Sequence, residues 1–465
     1  MRKETLKKLN EQLAADPDSV GLRFERACLL TESGQTEEAK LAYLDLLARS
    51  PGHAGALNNF GTLLCDTGFR SAARIAYAEA VKQHPEDPMG HVNLANLLLA
   101  AGELAAAREH YETALAHDPM YRGAHQGLGN LLAELGEEEA SREHQRLGHR
   151  QATLIPHRGE TKPVSVVLLV SSGRGGNVPI RHLLDDRVYQ TFAIAPEFWD
   201  LDVPLPPHQL VVNSIGDADL CAAALEAAVN LVERSMAPVV NAPAAVLGTG
   251  RMANARRLAG LAGVIAPRVA QMSREKLAQA AGLTFPLLLR APGFHNGRHF
   301  VKLESAAELP GAIESLPGNE LTAIQFLDAR GRDGNFRKYR VMMIAGELYP
   351  LHLAISHDWK IHYVTADMAD NAQHRAEEAR FLENMPEVVG ARAMAALRSI
   401  QETLALDYAG IDFGLSPAGD VLLFEANATM VIVPPGADER WSYRRNAVEC
   451  ATDAVRRMLL EKAAA

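Results

Sequence analysis

Near the end of the chain, Ala409-Gly410-Ile411-Asp412-Phe413-Gly414 is followed, across Ser416-Pro417-Ala418-Gly419-Asp420, by Val421-Leu422-Leu423-Phe424-Glu425-Ala426-Asn427. Two apolar runs about a turn of Ser, Pro, Gly and Asp predict a β-hairpin. The runs carry oxygen donors: Asp412 on the first, Glu425 and Asn427 on the second. Side chains alternate along a strand, so Glu425 and Asn427 share one face. Such oxygens suit a hard ion like Mg2+, whose shell phosphate and water complete. An ordinary hairpin with polar ends would read the same, so its meaning rests on what precedes it.

Upstream, Val164-Ser165-Val166-Val167-Leu168-Leu169-Val170 predicts a buried strand, and Ser171-Ser172-Gly173-Arg174-Gly175-Gly176-Asn177 a glycine-rich loop. Strand, glycine loop and helix in succession turn backbone N–H groups toward an anion, although this loop is not a full GxGxxG. A second strand near Gln209 to Asn213 leads to Asp217 and Asp219, where Asp219 is expected to open an alanine-rich helix over 219–235. Either acid could also meet a substrate amine. Further on, Phe285-Pro286-Leu287-Leu288-Leu289-Arg290 runs into a loop spanning Gly293 to His299. A basic residue ending an apolar strand beside such a loop is a phosphate-clamp pattern. Thr322-Ala323-Ile324-Gln325-Phe326-Leu327-Asp328 is a strand ending in an acid. Tyr339 to Pro350 predicts a hairpin turning at Ala345-Gly346. The spacing of His352, His357 and His362 is poor for zinc. A helical run is expected from about Arg375 to Leu406 and another over 443–463.

In this order the series resembles the ATP-grasp superfamily, in particular its carboxylate–amine ligases, over about residues 164–460. The resemblance implies ATP held between two α+β lobes and a carboxylate activated as an acyl phosphate for attack by an amine or thiol. Arg251 and Arg290 stand where the family has phosphate-binding lysines. Gly293 to His299, including Gly297, corresponds to the loop that closes over the phosphates. Gln325 to Leu327 corresponds to the adenine-contacting hinge and Asp328 to the ribose-binding acid. Arg340 corresponds to the basic residue that steadies the transferred phosphate, which with Arg290 makes the implied catalytic pair. Asp412, Glu425 and Asn427 correspond to the magnesium ligands. Arg174, Asn177, His295 and Lys360 are the residues expected to face substrate. The chain departs from the family in carrying Arg at 251 and 290, a planar fork in place of a point charge. It departs again at Lys338, where related ligases often carry an acid.

The first 148 residues are different. Pro17, Pro51, Pro85 and Pro119 are 34 residues apart, as are Gly34, Gly68, Gly102 and Gly136. Ala39, Ala73 and Ala107, with Ser141, keep that step, and so do Tyr43, Tyr77 and Tyr111. Each unit predicts a helix, a turn at the glycine, a second helix and a proline that ends it. Period and pattern resemble the tetratricopeptide repeat (TPR): four units over about 18–148, preceded by a half-unit marked by Leu6, Leu9 and Leu13. The units depart from the family at its first-helix aromatic, which is Arg23, Leu57, His91 and His125. A repeat array offers surface rather than chemistry. Asn58, Asn59, Asn93, Asn96 and Asn130 on the first helices could bind an extended peptide through donor and acceptor pairs.

The expected organisation is therefore multidomain: an all-α TPR solenoid at 1–148, a linker at 149–163, an α/β pre-ATP-grasp domain at 164–245 and an α+β ATP-grasp domain at 246–465. ATP and Mg2+ are the implied cofactors, with a peptide or protein recruited by the array. With 48% apolar and 22% charged residues the composition is that of a soluble globular protein, and the expected compartment is cytoplasmic. The net charge of −10 speaks against a general nucleic-acid binder. No apolar run approaches a membrane span, so no membrane partner is expected. The four cysteines form no CxxC and read as small buried hydrophobes. Two other functions fit the same residues: an ATP-grasp phosphotransferase, and a TPR interaction protein whose ATP-binding scaffold does not turn over.

Overall fold

In the computed structural model residues 2–173, 175–292, 298–361, 366–436 and 438–465 are described. The chain divides into two units, Met1–Gln151 and Ala152–Ala465. Among the described residues no helix is long and apolar enough to cross a membrane, and the four cysteines are free.

The first unit is helical: α1 (Arg2–Ala15), α2 (Val20–Glu32), α3 (Thr36–Arg49), α4 (Ala54–Asp66), α5 (Arg70–Gln83), α6 (Pro88–Ala100), α7 (Leu104–His117), α8 (Arg122–Glu134) and α9 (Glu138–His149). Gly34, Gly68, Gly102 and Gly136 each take positive φ, between 70° and 85°, where the first helix of a pair stops; only glycine does this without strain. Ala39, Ala73 and Ala107 are wholly buried, which lets paired helices approach. A side-chain bond closes each pair at the same offset. Tyr43 meets Cys28, Tyr77 meets Thr62 at 3.0 Å, Tyr111 donates to Asn96 at 2.6 Å and Gln145 to Asn130 at 2.9 Å.

The departure at the first-helix aromatic has a structural answer. His91 Nε2 bonds the Pro85 carbonyl at 2.9 Å and His125 Nε2 the Pro119 carbonyl at 3.0 Å, and Arg23 reaches the Pro17 carbonyl from the same position. A polar group thus satisfies the carbonyl of the proline in the turn after each helix. Because a carbonyl only accepts, Nε2 of each histidine carries the proton. In a neutral ring so protonated, Nδ1 accepts from the Nδ1 of His110 or His144, at 3.0 and 2.9 Å.

The second unit holds three sheets. The first comprises β1 (Thr153–Ile155), β2 (Val164–Leu169), β3 (Tyr189–Ile194), β4 (Leu210–Asn213) and β5 (Val239–Val240), in the order β1-β3-β2-β4-β5. All but β1 run parallel, and β2 is a nearly continuous apolar run, as parallel strands are. Helix α10 (Ala222–Val232) precedes β5; α11 (Pro243–Leu247), α12 (Arg251–Leu258) and β6 (Val264–Ile265) follow it. The second sheet is antiparallel, in the order β7-β10-β8-β9: β7 (Val269–Ser273), β8 (Leu287–Arg290), β9 (Phe300–Leu303) and β10 (Glu320–Gln325). With α13 (Arg274–Ala278) and α14 (Leu309–Ser315) it encloses a small core of its own around Leu277, Leu289 and Leu321. The third sheet runs β12-β11-β13-β14-β6 and is built from β11 (Phe336–Ile344), β12 (Glu347–Ser356), β13 (Tyr408–Leu415) and β14 (Val421–Asn427). Helices α15 (Ala372–Glu383) and α16 (Met385–Leu404) lie between β12 and β13 in the chain, and α17 (Arg445–Ala464) ends it. Val448, Val455 and Met458 of α17 join Val166 and Leu210 of the first sheet and Met342 and Ile344 of the third in one core.

Four expectations are corrected. The stretch 149–163 is not all linker, because Thr153–Ile155 pairs with β3. The helix expected over 219–235 is Ala222–Val232, and Asp219 accepts the Arg251 N–H at 2.9 Å, at the start of α12. The glycine loop is followed by a four-residue 3-10 turn, Ile180–Leu183, too short to offer an anion a helix terminus. The run expected from Arg375 to Leu406 is interrupted at Asn384, where α15 ends and α16 begins.

Candidate functional site

The third sheet carries one row of polar residues across its centre. Register places Arg340 opposite His352 on β12 and opposite Asp412 on β13, and Asp412 opposite Glu425 on β14. Residues paired this way point to one face, so four strands contribute His352, Arg340, Asp412 and Glu425 in line. Both flanking ladders slip here, between Arg340 and Val341 and between Asp412 and Phe413. β-Bulges re-aim side chains and gather beside functional sites.

Asp412 is buried, at 4% exposure. Arg340 grips it with two bonds, Nε to Oδ1 at 2.6 Å and Nη2 to Oδ2 at 2.8 Å, and Lys338 Nζ lies 3.2 Å from Oδ2. Burial alone would raise this carboxyl, but the Lys338 and Arg340 charges outweigh it and hold it well below its ordinary value. Burial likewise works against the Arg340 charge, and Asp412 more than restores it. His352 is kept neutral, far below its usual value, first by burial and then by Arg340. Glu425 accepts from Arg251 Nη2 at 3.0 Å and from Asn427 Nδ2 at 3.1 Å, both on Oε1. Asn427 Oδ1 accepts from the N–H and hydroxyl of Thr429. Arg290, the last residue of β8, faces the same group: burial and Arg251 lower it, while Glu425, Asp217 and Asp219 oppose them.

The structure therefore brings together Arg251, Arg290, Arg340, Asp412, Glu425 and Asn427, which lie far apart in the chain. Among the described residues no three His, Cys, Asp or Glu side chains gather as a metal cluster. Asp412 and Glu425 of the row, with Asn427 two residues along β14, supply two carboxylates and an amide, a set that fits Mg2+ with phosphate and water completing it.

The residues expected to form the hinge, Gln325 to Asp328, make a second group. Gln325 is tied to Arg268, accepting its N–H at 3.2 Å through Oε1 and donating its own N–H to the Arg268 carbonyl at 2.9 Å. Leu327 is half-buried and Asp328 exposed, with its carboxylate taken by Arg330. Beside them Phe326, Phe300 and Trp359 meet edge to face, and Lys302 lies 4.1 Å over the Phe326 ring. Of the expected substrate residues, Lys360 donates to the Phe300 carbonyl at 3.2 Å, on the aromatic side. Asn177 is closed on Ser171 by two bonds of 2.7 and 2.8 Å and serves its own loop. Arg174, His295, Gly297 and His362 lie outside the described residues. Sequence reasoning missed the parts of Lys302, Phe300 and His352. The alternation of Phe300 and Lys302 along β9 was the available signal; His352 carried none before its register was known.

In the array, Asn96 and Asn130 are engaged by Tyr111 and Gln145, and Asn58, which is buried, accepts from Asn93 Nδ2 at 2.9 Å. Asn59 Nδ2 points to Cys28. Asn59 and Asn93, one repeat apart, each use one amide N–H internally, which leaves each a second N–H and its carbonyl oxygen.

The tetratricopeptide repeat family matches residues 24–88, 58–116 and 92–148. Among solved structures, MamA from Desulfovibrio magneticus RS-1 is similar at 20% identity, over 31% of this chain and 81% of that one, with a TM-score of 0.28. PilF of Pseudomonas aeruginosa matches at 23% identity over 32% and 67%, TM-score 0.30. YrrB, described as a TPR protein with an unusual peptide-binding site, matches at 17% identity over 32% and 76%, TM-score 0.28. No curated protein matches the chain. The N-terminal ~150 residues are an array of tetratricopeptide repeats, followed by a mixed α/β region.

Proposed function

We propose that the chain is an ATP-dependent ligase that activates a carboxylate as an acyl phosphate for attack by an amine or thiol, and that its repeats recruit a peptide or protein. The observation that carries this reading is the register row Arg340–Asp412–Glu425, bracketed by two bulges and faced by Arg251 and Arg290. The separate small core of the β7–β10 sheet, which makes it a lobe distinct from the third sheet, supports it too.

The chemistry brings two anions together, a carboxylate and the γ-phosphate. Arg251, Arg290, Arg340 and Lys338 would offset that repulsion and the charge left on ADP. Asp412, Glu425 and Asn427 would hold Mg2+, which neutralises phosphate charge when bound. The carboxylate oxygen takes the γ-phosphoryl group as ADP leaves; the nucleophile then attacks the acyl carbon and inorganic phosphate leaves. Phe300, Phe326, Trp359 and Lys302 offer the base an aromatic and cationic surface. For the array, family membership supports an interaction role, and the Asn59 and Asn93 oxygens suit the N–H groups of an extended peptide.

The test is incubation of the full chain with ATP, Mg2+ and a panel of carboxylates and amines, with ADP and products followed by mass spectrometry. ADP release with an amide or thioester product is expected. A stable phosphorylated product would instead make the chain a phosphotransferase, and nucleotide binding without turnover a non-catalytic scaffold.

A further inference from the structure

The row has one feature that its proposed chemistry does not require. Both oxygens of Asp412 are occupied from within, Oδ1 by Arg340 and Oδ2 by Arg340 and Lys338. Of the other donors, Glu425 gives Oε1 to Arg251 and the Asn427 oxygen turns toward Thr429. At Asp412 two cations already face one buried carboxylate. A bare dication arriving there would confront them where charges are poorly screened. A polyphosphate removes that obstacle, because it gives both cations a better partner.

Of the two, Lys338 is the movable one. It makes one contact through a flexible stem, while Arg340 makes two through a rigid fork. We infer that Lys338 is a lock on Asp412: it withholds the carboxylate from divalent metal until a polyphosphate anion draws the ammonium away. Metal and nucleotide then enter together, and the protein carries no metal at rest. The inference rests on the nucleotide-site reading above and assigns regulation to that site.

Equilibrium dialysis of the full chain with Mn2+, alone and with ADP, tests it. The wild type should retain Mn2+ with ADP and at least about tenfold less tightly without it. Lys338→Met should raise affinity for Mn2+ alone by about tenfold or more and shrink the dependence on ADP. Lys338→Arg should keep that dependence. Lys338→Gln, which preserves a hydrogen bond to Asp412, is measured beside them in case the methionine is not tolerated, and should also tighten Mn2+ alone. Equal wild-type affinity with and without ADP overturns the lock and leaves the nucleotide reading standing. Unchanged affinity for Mn2+ alone in the Met and Gln variants does the same. Failure of the wild type to retain Mn2+ with ADP overturns both.

Discussion

The repeat array and the polar row organise charge and polarity in opposite ways. In the array several polar contacts recur one repeat apart: Tyr77 with Thr62 and Tyr111 with Asn96, or His91 on Pro85 and His125 on Pro119. Most partners lie within twenty residues, so each unit specifies its own packing. In the row, Arg340 meets Asp412 72 residues on, and Arg251 meets Glu425 174 residues on. No local segment contains it, and nothing repeats it. Redundancy makes the array tolerant of a single lost contact, whereas the row has no substitute for any member. Polarity in the first is spread out; charge in the second is concentrated.

This contrast can be broken or sharpened by substitution. The three tryptophans, Trp199, Trp359 and Trp441, all belong to the second unit, so their fluorescence reports that unit alone. Asp412→Ala leaves two half-buried cations without their buried anion, and should cost the second unit about 3–5 kcal/mol in urea titrations followed by tryptophan emission. Helical circular dichroism from the array should persist through that transition; simultaneous loss would erase the distinction between the units. Glu425→Ala removes an exposed-side partner and a proposed metal donor, with little effect on folding. It should lower Mg-ATP turnover about 100-fold or more, measured as ADP release. Undiminished turnover would remove Glu425 from the site.

Smaller effects belong to the array. A Cβ at Gly127 would overlap the Tyr111 ring, which is buried among helices. Gly127→Ala should therefore destabilise the array by about 1–3 kcal/mol in thermal melts, with tryptophan emission unchanged. The histidine pairs give the mildest effect. Burial first, and then the paired His91 or His125, lower His110 and His144 below their ordinary value of 6.5. A histidine lowered on folding binds protons more readily unfolded, so its stabilisation is complete above about 6.5 and lost as pH falls below it. The melting temperature of the array should thus drop between pH 7.5 and 5.5. The slope should flatten in a His110→Gln, His144→Gln double variant.

Part of the site was legible early because it lay in short strands with polar ends. Asp412, Glu425, Asn427, Arg340, Arg290 and Arg251 all fall in one neighbourhood of the fold. Asn177 shows what the sequence hid: loop amides bond their own backbone as readily as a ligand, and here Ser171 bonds both ends. Asp219 was assigned to the wrong helix for a related reason. An acid before a helix looks the same whether it caps that helix or one that folding brings alongside.

What the sequence determined by itself was the array. A 34-residue period writes helix, glycine turn and proline stop into every unit, because each is a local matter of φ, capping and burial. It also determined which strands would carry charge. Only the tertiary structure decided how those charges pair. Strand register is set by packing across the sheet, and a single bulge shifts which residues meet. Lys338, an anomaly in the sequence, became a partner of Asp412 only when β11 was laid beside β13.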